Sequence, residues 1–356
     1  MIKYIERIDQ NILEVGKLPP DLLENLLAKI PTDDPSVVLG PKIGEDAAVV
    51  SLGDKLLVAK SDPITFATAN AGWYAVQINA NDIACAGGVP KWFLATLLLP
   101  ETIEPPECEA LFSEIIDSCA QLNVSLIGGH SEITLGIDRP IILGTMLGEV
   151  QADSLTYTGK AQEGDSIVLT KGISIEGTSI LAREKSQALL NAGVSQDTID
   201  RGCQYLNTPG ISVVPDAQIA LHSVRVHAMH DPTEGGLFTG LKEIAKASGL
   251  GLAVEEGSIA VLPETEQICI ALGLNPFGLL ASGALLITLP SEDVPTLLNE
   301  FDKHRILAWE IGQMIAPEEG LVLFGRAGEE ALPEFERDEL AGYLATTNQD
   351  RPNPEF

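Results

Sequence analysis

Basic residues are scarce in this 356-residue sequence, which has 22 lysines and arginines against 51 aspartates and glutamates and a formal net charge of -29. Proteins that bind nucleic acid need a basic surface that neutralises phosphates, and this sequence has none. We therefore expect no nucleic-acid partner. Most of the acidic residues are expected on a solvated surface, where they favour solubility, and a minority remains available to bind metal ions.

Paired cysteines and long apolar segments are also lacking. The five cysteines are irregularly spaced and form no C-x-x-C pair, so neither a zinc ribbon nor a disulfide framework is expected. No apolar run reaches the ~18 residues that a membrane-spanning helix needs. The charged stretch MIKYIERIDQ has no apolar segment of the kind found in signal peptides. These features predict a cytoplasmic protein with reduced thiols and no membrane partner.

Several common catalytic motifs are missing. The sequence has no G-x-x-x-x-G-K-[ST], which excludes a P-loop, and no G-x-G-x-x-G that follows a strand. It has no G-x-S-x-G, which argues against an α/β-hydrolase.

The sequence does contain strand-like and helix-like segments in alternation. Asp21 is predicted to cap a first helix, and periodicity predicts a long helix over residues 72–86. Apolar runs predict strands over residues 92–99 and 141–150, and a short strand over 124–127 that ends at Gly128. This interleaving predicts an α/β or α+β fold with mixed sheets and helices on one face. Length and a polar stretch near residue 155 predict two domains, residues 1–155 and 156–335, followed by an acidic tail, residues 336–356, whose end is disordered.

Carboxylates recur where predicted elements end, next to glycine or another small residue. The segments are GEDAA (44–48), SDP (61–63), NAND (79–82), GGHSE (128–132) and HDPTE (230–234). Mg²⁺ prefers oxygen ligands and is commonly held by one or two carboxylates together with phosphate oxygens and waters. Separated acids that converge on a polyphosphate would meet that demand in a chain that is poor in arginine.

Asp82 lies in the middle of the predicted long helix. At 100° per residue it is about 150° from the apolar stripe of that helix, so it faces away from the local core. A solvated helix face is one interpretation. Asn-Ala-Asn-Asp favours a site instead, because these weak helix formers are unusual on an exposed helix face, which normally carries Glu and Lys.

The HDPTEGG stretch lies where a short strand passes into a helix. Gly235 and Gly236 open that helix, and free N–H groups at a helix start bind anions. The stretch is therefore predicted to bring Asp231 to a metal ion and a helix start to phosphate; a plain cap and turn is the alternative. His227 and His230 are predicted on opposite faces of the strand and form a poor zinc pair. For His130 a site role and a structural role stay open.

Taken together and in this order, these segments resemble the AIR synthase (PurM-like) superfamily. The similarity covers nearly the whole chain: IGEDAAVV, NANDIACAGGVP, LIGGHSE and HDPTEGGL resemble its motifs. The second half is most similar to the hydrogenase maturation protein HypE in TKGISIEGTSILAREKS, VEEGSIAVLPE and LNPFGLLASGALLI. The resemblance implies a two-domain α+β fold, with ATP and Mg²⁺ bound by the N-terminal domain and dimerisation through that domain.

The resemblance also implies roles for individual residues. The implied catalytic residues are Asp82, His130 and Asp231. The implied metal ligands are Asp46, Asp62, Asp82 and Glu132. The implied nucleotide contacts are Lys42, Gly44, Asp46, Asp62, Asn79, Asp82, Gly128, Gly129, Thr233, Gly235 and Gly236.

The sequence departs from the family pattern at Glu45, His130 and Glu234, which stand where relatives have other residues. It also has no cysteine after Cys269, whereas HypE carries a carbamoyl group on a terminal cysteine. We therefore expect an ATP-dependent enzyme that phosphorylates a carbonyl-type oxygen or related nucleophile of a small, diffusible substrate. A thiamine-monophosphate-kinase-like enzyme and a nucleotide-binding maturation or scaffold protein are the alternatives. The expected partners are a second copy of the chain, the small substrate and, as further candidates, maturation proteins.

Overall fold

A computed structural model describes residues 13, 18–31, 33–65 and 69–348 of the protein. The predictions for MIKYIERIDQ and for the last eight residues lie outside these described residues. The α-helices are α1 (Pro20–Leu27), α2 (Ala71–Cys85), α3 (Pro105–Gln121), α4 (Ile175–Glu184), α5 (Ser186–Asn191), α6 (Gln196–Cys203), α7 (Val214–Ser223), α8 (Gly236–Ser248), α9 (Pro263–Leu272), α10 (Val294–Lys303) and α11 (Glu339–Asn348). The strands are β1 (Val37–Leu39), β2 (Ala48–Leu52), β3 (Lys55–Ile64), β4 (Val89–Leu99), β5 (Ser125–Ile133), β6 (Ile141–Val150), β7 (Ser166–Thr170), β8 (Ala228–His230), β9 (Gly251–Glu255), β10 (Leu286–Leu289), β11 (Ala308–Ile315), β12 (Leu321–Gly325) and β13 (Gly328–Ala331).

The strands form two mixed sheets. The first has the order β1-β2-β3-β6-β4-β5, and the second has the order β13-β12-β9-β11-β7-β10-β8. Most neighbours are antiparallel, but β4 pairs with β5 and β9 pairs with β12 in parallel. The predicted fold class is therefore confirmed. The domain division near residue 155 stays a prediction.

Helix α2 lies between the two halves of the protein. One side packs on β3, β4 and β6 of the first sheet, and other residues contact α7 and β8 of the second half. Thirteen of its fifteen residues are buried, Asp82 among them with 4% of its surface exposed. The solvated-face interpretation of Asp82 is therefore wrong. Periodicity located the apolar stripe, but a second layer covers the opposite face.

Strand β5 differs from its prediction. It does not end at Gly128 but continues to Ile133, paired in parallel with β4. Gly129 makes this possible, because a Cβ there would lie 1.8 Å from the carbonyl oxygen of Ala95. The strand therefore passes its expected end at Gly128, because the next residue is a glycine that allows the two backbones to approach closely.

Two predictions at the ends of the chain also need correction. Asp21 lies inside α1, which begins at Pro20 and has no side-chain cap. The segment predicted as an acidic tail, residues 336–356, includes α11, and Leu340 on this helix is only 3% exposed. Leu340 packs with Leu181, Leu189 and Leu279 in a small apolar cluster, so apolar burial holds the segment. Within the described residues, no helix is long and apolar enough to cross a membrane.

Candidate metal and nucleotide site

Three aspartates from distant parts of the sequence meet at the junction of the two halves. Asp46 precedes β2, Asp82 lies on α2, and Asp231 follows β8. Each offers a carboxylate oxygen, and these oxygens all lie within 4.8 Å of one another. Among the described residues, they are the one such group of three or more metal-ligating side chains. We call Asp46, Asp82 and Asp231 the carboxylate cluster.

The carboxylate cluster has a buried floor and a more open rim. Asp82 and Asp231 are 4% and 2% exposed, whereas Asp46 is only partly buried. Burial raises the pKa of Asp231 to about 7, and the neighbouring charge of Asp46 adds to this effect. Burial also raises the pKa of Asp82 well above its ordinary value; Lys60 opposes the shift, and the charges of Asp231 and Asp46 add to it. Bringing these carboxylates together in a low-dielectric site costs free energy that a bound cation would offset.

Lys60 extends the site towards Asp62. Its Nζ lies 3.2 Å from Oδ2 of Asp82 and 3.3 Å from Oδ2 of Asp62. Burial by itself would lower the pKa of Lys60, but the surrounding carboxylates, Asp82 first and then Asp62, raise it well above its ordinary value. The ammonium therefore remains charged in this setting.

His230 adds a second cation beside Asp46. Its Nδ1 lies 2.8 Å from Oδ2 of Asp46, and its Nε2 lies 3.0 Å from Oε2 of Glu243. Both ring nitrogens face carboxylate oxygens, so both must donate and the ring carries a proton on each. Burial opposes this charge, but Asp46 and Glu243 together raise the pKa of His230 above its ordinary value. His230 thus orients Asp46 towards the carboxylate cluster.

Two asparagines of α2 fix the surrounding backbone. Asn79 accepts a hydrogen bond from the N–H of Asp62 and donates to its carbonyl, so it holds β3 against α2. Asn81 donates to the carbonyl of Ile211 and accepts from the N–H of Val213, both at 2.9 Å. The NAND segment is therefore explained by buried backbone groups that need partners on both sides of the helix.

Cys85 lies one helical turn after Asp82 and contacts Asp231. Its Sγ donates to Oδ1 of Asp231 at 3.3 Å. Burial raises the pKa of this thiol well above its ordinary value, and the nearby carboxylates add to the shift. Cys85 is therefore a neutral neighbour of the carboxylate cluster rather than a nucleophile.

The predicted glycine-rich segment is not brought to the carboxylate cluster within one chain. Asp62 is in register with Gly144, Gly144 with Ala95, and Ala95 with Gly129, so Gly129 lies three strands away from Asp62. At about 4.8 Å per strand this is roughly 14 Å. His130 and Glu132 follow on the same exposed edge strand and pair with each other at 3.1 Å. Gly128 precedes them on β5.

The group of candidate metal ligands differs at three positions from the set that the resemblance implied. Asp231, which the HDPTEGG stretch predicted near a metal ion, joins Asp46 and Asp82, whereas Asp62 pairs with Lys60 and Glu132 pairs with His130. The local sequence could not show which of these acids meet, because the group is formed by contacts between residues far apart in the chain. The roles assigned to Asp62, His130 and Glu132 stay predictions.

The segment around Gly44 has partly structural contacts. Lys42 donates from Nζ to the carbonyl of Ala247 at 2.8 Å. Glu45 accepts hydrogen bonds from the backbone N–H groups of Thr158 and Gly159. Glutamate at this family position is thus long enough to reach the backbone just after the first sheet. Gly44 itself packs against α8, with a positive φ of 79°.

The HDPTEGG loop differs from the expected anion-binding helix start. The N–H of Gly235 donates to the Asp338 carboxylate at 2.7 Å, and the N–H of Gly236 donates to the carbonyl of Thr233 at 3.1 Å. The predicted free N–H groups of Gly235 and Gly236 are therefore occupied in this structure. The anion at this helix start is a carboxylate of the chain itself.

Lys60, His230 and Glu243 are the site residues that sequence reasoning missed or set aside. Lys60 had a usable signal: in β3, residues 58, 60, 62 and 64 share one face by strand alternation, and Val58 and Ile64 are buried. A lysine at a core-facing position two residues before Asp62 indicates a charged partner. Glu243 had no local signal, because it lies on α8 and contacts His230 at the end of β8, 13 positions earlier in the sequence.

The donor set fits a divalent cation that prefers oxygen. It consists of carboxylates alone, and Oδ2 of Asp231 is buried without a hydrogen-bond partner among the described residues. Buried polar atoms of this kind normally have a partner. Mg²⁺ would bind such oxygens together with phosphate and water.

The family is shown by comparison with known domain models. The model described as AIR synthase related protein, N-terminal domain, matches residues 44–150, and the corresponding C-terminal domain matches residues 162–323. The chain belongs to the AIR synthase related family. The resemblance predicted from the motifs is confirmed.

Individual relatives agree with this assignment. A putative hydrogenase expression/formation protein of Methanocaldococcus jannaschii is 27% identical over 296 residues, which cover 81% of this chain and 84% of that protein. The carbamoyl dehydratase HypE of Cupriavidus necator is 26% identical over 283 residues, which cover 76% and 77%. A crystal structure of a hydrogenase maturation protein HypE in complex with ATP has a TM-score of 0.64 at 23% identity, covering 86% of this chain and 92% of that one. The structural likeness shows the shared fold.

Proposed function

We propose that this protein binds ATP with Mg²⁺ and transfers a phosphoryl group to a carbonyl-type oxygen, or a related nucleophile, of a small diffusible substrate. The observation that carries the proposal is the carboxylate cluster, in which Asp46, Asp82 and Asp231 converge from three segments. The family and the ATP held by the similar HypE structure support a nucleotide at this site.

The residues of the site match the demands of phosphoryl transfer. That reaction depends on positioning and on neutralising charge more than on a protein nucleophile. The carboxylate cluster would hold Mg²⁺, which supplies the positive charge that a chain of net charge -29 otherwise lacks near a polyphosphate. His230 positions Asp46, and Cys85 keeps one oxygen of Asp231 in place.

The nature of the substrate is proposed from the sequence and the relatives. HypE of Cupriavidus necator is a carbamoyl dehydratase, and by likeness the proposed acceptor is a carbamoyl-type oxygen. The thiols of Cys85, Cys119 and Cys269 are buried. A substrate that diffuses in, rather than one carried on a buried thiol, suits this arrangement.

We further propose that residues 1–155 form the nucleotide-binding and dimerisation domain and residues 156–335 the second domain. The first sheet is built from residues 37–150 and the second from residues 166–331, which supports this division. Strand β5 lies at the edge of the first sheet and is exposed along most of its length. A partner subunit on this edge would cover it, as unpaired edges generally require.

The test is nucleotide turnover with defined probes. The protein is incubated with Mg·ATP and, separately, with a soluble thiocarbamate, a small carboxamide and thiamine monophosphate, and ADP and AMP are separated by chromatography. We expect ADP formation that at least one probe stimulates and that Asp231→Asn abolishes, while exposed Asp197→Asn behaves as wild type.

The possible outcomes separate the alternatives. Stimulation by thiamine monophosphate alone would favour the kinase alternative, and Mg·ATP binding without turnover would favour the scaffold. If Mg·ATP does not bind, or binds equally well to Asp231→Asn, the proposed site is wrong.

A further inference from the structure

Lys60 lies where a cation is needed in this site. Its ammonium lies between Asp62 and Asp82, at 3.3 Å and 3.2 Å from one oxygen of each. The side chain is 16% exposed, and Asp82 below it is 5% exposed, whereas Asp62 on the rim is 39% exposed. The ammonium therefore closes the inner part of the site on the Asp62 side.

Strand alternation fixes this arrangement. Lys60 and Asp62 are two residues apart on β3, so both side chains emerge on the face that packs against α2. Asn79 of α2 holds the backbone of Asp62 through two hydrogen bonds. If the Lys60 side chain moved into bulk solvent, the buried carboxylate of Asp82 would lose this cation, which is costly.

The charges around Lys60 leave room for one divalent cation. Five carboxylates, those of Asp46, Asp62, Asp82, Asp231 and Glu243, face two cations, Lys60 and His230. The remaining negative charge is concentrated on the carboxylate cluster, where Asp231 has a buried oxygen without a hydrogen-bond partner among the described residues. Asp62, by contrast, already has a cation of the chain itself.

We propose that the Lys60 ammonium takes the place of a divalent cation on the Asp62 side of the site. The protein then holds one metal ion at the carboxylate cluster, and Asp62 serves as the partner of Lys60 rather than as a metal ligand. The inference deepens the proposed function and depends on it for the identity of the ion as a divalent metal.

The experiment counts bound Mn²⁺ in the full-length protein. Mn²⁺ is an oxygen-binding substitute for Mg²⁺, and electron paramagnetic resonance of the free ion gives the number bound per chain. It is measured with Mn²⁺ alone and with a non-hydrolysable ATP analogue added. Lys60→Met removes the charge at similar length, and Lys60→Arg keeps it. Lys55→Met is the matched control, because exposed Lys55 lies on the same strand and pairs with half-buried Glu149, away from the carboxylate cluster.

The expected result is that Lys60→Met binds one Mn²⁺ per chain more than wild type under the same conditions, whereas Lys60→Arg and Lys55→Met bind the wild-type number. If Lys60→Met does not fold without metal, Asp62→Asn decides instead. On this proposal, Asp62→Asn lowers Mn²⁺ affinity by no more than about threefold, since only a nearby charge is lost. If Asp62 is a ligand, the loss is about tenfold or more.

Two results would overturn the inference and are distinguishable. If wild type binds Mn²⁺ and folded Lys60→Met binds the same number, Lys60 does not replace a metal ion, while the proposed function stands. If neither binds Mn²⁺, with or without the nucleotide analogue, the inference and the proposed function both fail.

Discussion

His230 and Asp46 are 184 positions apart in the sequence, yet Nδ1 of the histidine lies 2.8 Å from Oδ2 of the aspartate. The contact joins the last residue of β8, in the second half, to the segment that leads into β2 of the first half. Glu243 holds the other ring nitrogen at 3.0 Å. One imidazolium thus links the two halves at the point where the carboxylate cluster forms, so the proposed metal site and the contact between the halves share the same residues.

Asp82→Asn is expected to weaken binding of Mg·ATP by at least about tenfold, because it keeps the shape of a cluster member and removes its charge. Isothermal titration calorimetry measures the effect. Asp54→Asn, in the exposed turn between β2 and β3, is the control. Unchanged affinity in Asp82→Asn would show that this buried acid does not hold the metal.

The protein is expected to be a homodimer, and Ile133→Glu is expected to shift it towards monomer. Ile133 ends the edge strand β5 and is 59% exposed, so a charge there would be buried in a partner interface. Light scattering at micromolar concentration gives the mass. Ile270→Glu, on the 74% exposed Ile270 of α9, should leave the mass unchanged. A monomeric wild-type mass would contradict the prediction.

Glu176 is expected to make the protein less stable as the pH rises. Burial raises its pKa to about 7, and Glu234 and Asp338 add to the shift. A carboxyl group with a raised folded-state pKa contributes stability that is fully present below the unfolded value of 4.5 and is lost as the pH rises through about 7.

Glu176→Gln should remove this contribution to the pH dependence. The quantity compared is the free energy of unfolding of Glu176→Gln minus that of wild type. This difference should be larger at pH 8 than at pH 5 by about 1–3 kcal/mol. Denaturant unfolding at the two pH values measures this difference. Glu184→Gln, exposed at the end of the same helix, is the control. Parallel pH profiles for wild type and Glu176→Gln would refute the assignment.

Asp338→Ala is expected to loosen the C-terminal segment. The carboxylate accepts hydrogen bonds from the N–H groups of Gly235 and Leu340, at 2.7 Å and 2.8 Å. Its loss should cost about 1–2 kcal/mol and increase hydrogen exchange in α11 and at Gly235. Exposed Glu336→Ala, two residues earlier, serves as the control. Equal exchange in both variants would mean that apolar burial of Leu340 alone holds the segment.

No cysteine is expected to carry a carbamoyl group. Burial raises the pKa of Cys119 to about 11 and that of Cys269 to about 12, and Cys85 is also shifted upward. Such thiols are poor nucleophiles, and Cys108 and Cys203, though half-buried, lie within helices. Intact-mass spectrometry after incubation with a carbamoyl transferase, carbamoyl phosphate and ATP should show the unmodified mass. An added mass that maps to any cysteine would reverse this view.

The sequence determined the local elements and most of the candidate residues. Periodicity located α2, β4 and β6, because their apolar patterns are set by the pitch of a helix and the pleat of a strand. The recurring acids beside small residues pointed to Asp46, Asp62, Asp82 and Asp231, and their order indicated the family.

Only the tertiary structure decided which of these residues meet. Helical spacing located one face of α2 but could not show that the second half covers the other, so Asp82 was read as facing away from the local core although it is buried at a junction. Likewise, the sequence marked both Asp231 and Glu132 as candidate metal ligands, and only the fold shows that Asp231 reaches the carboxylate cluster whereas Glu132 lies on a distant edge strand. Lys60 pairs with Asp82, and His230 pairs with Asp46, only because the fold brings these distant residues together. Several carboxylates buried in one place need nearby cations, and the sequence of a single segment does not show which residues supply them.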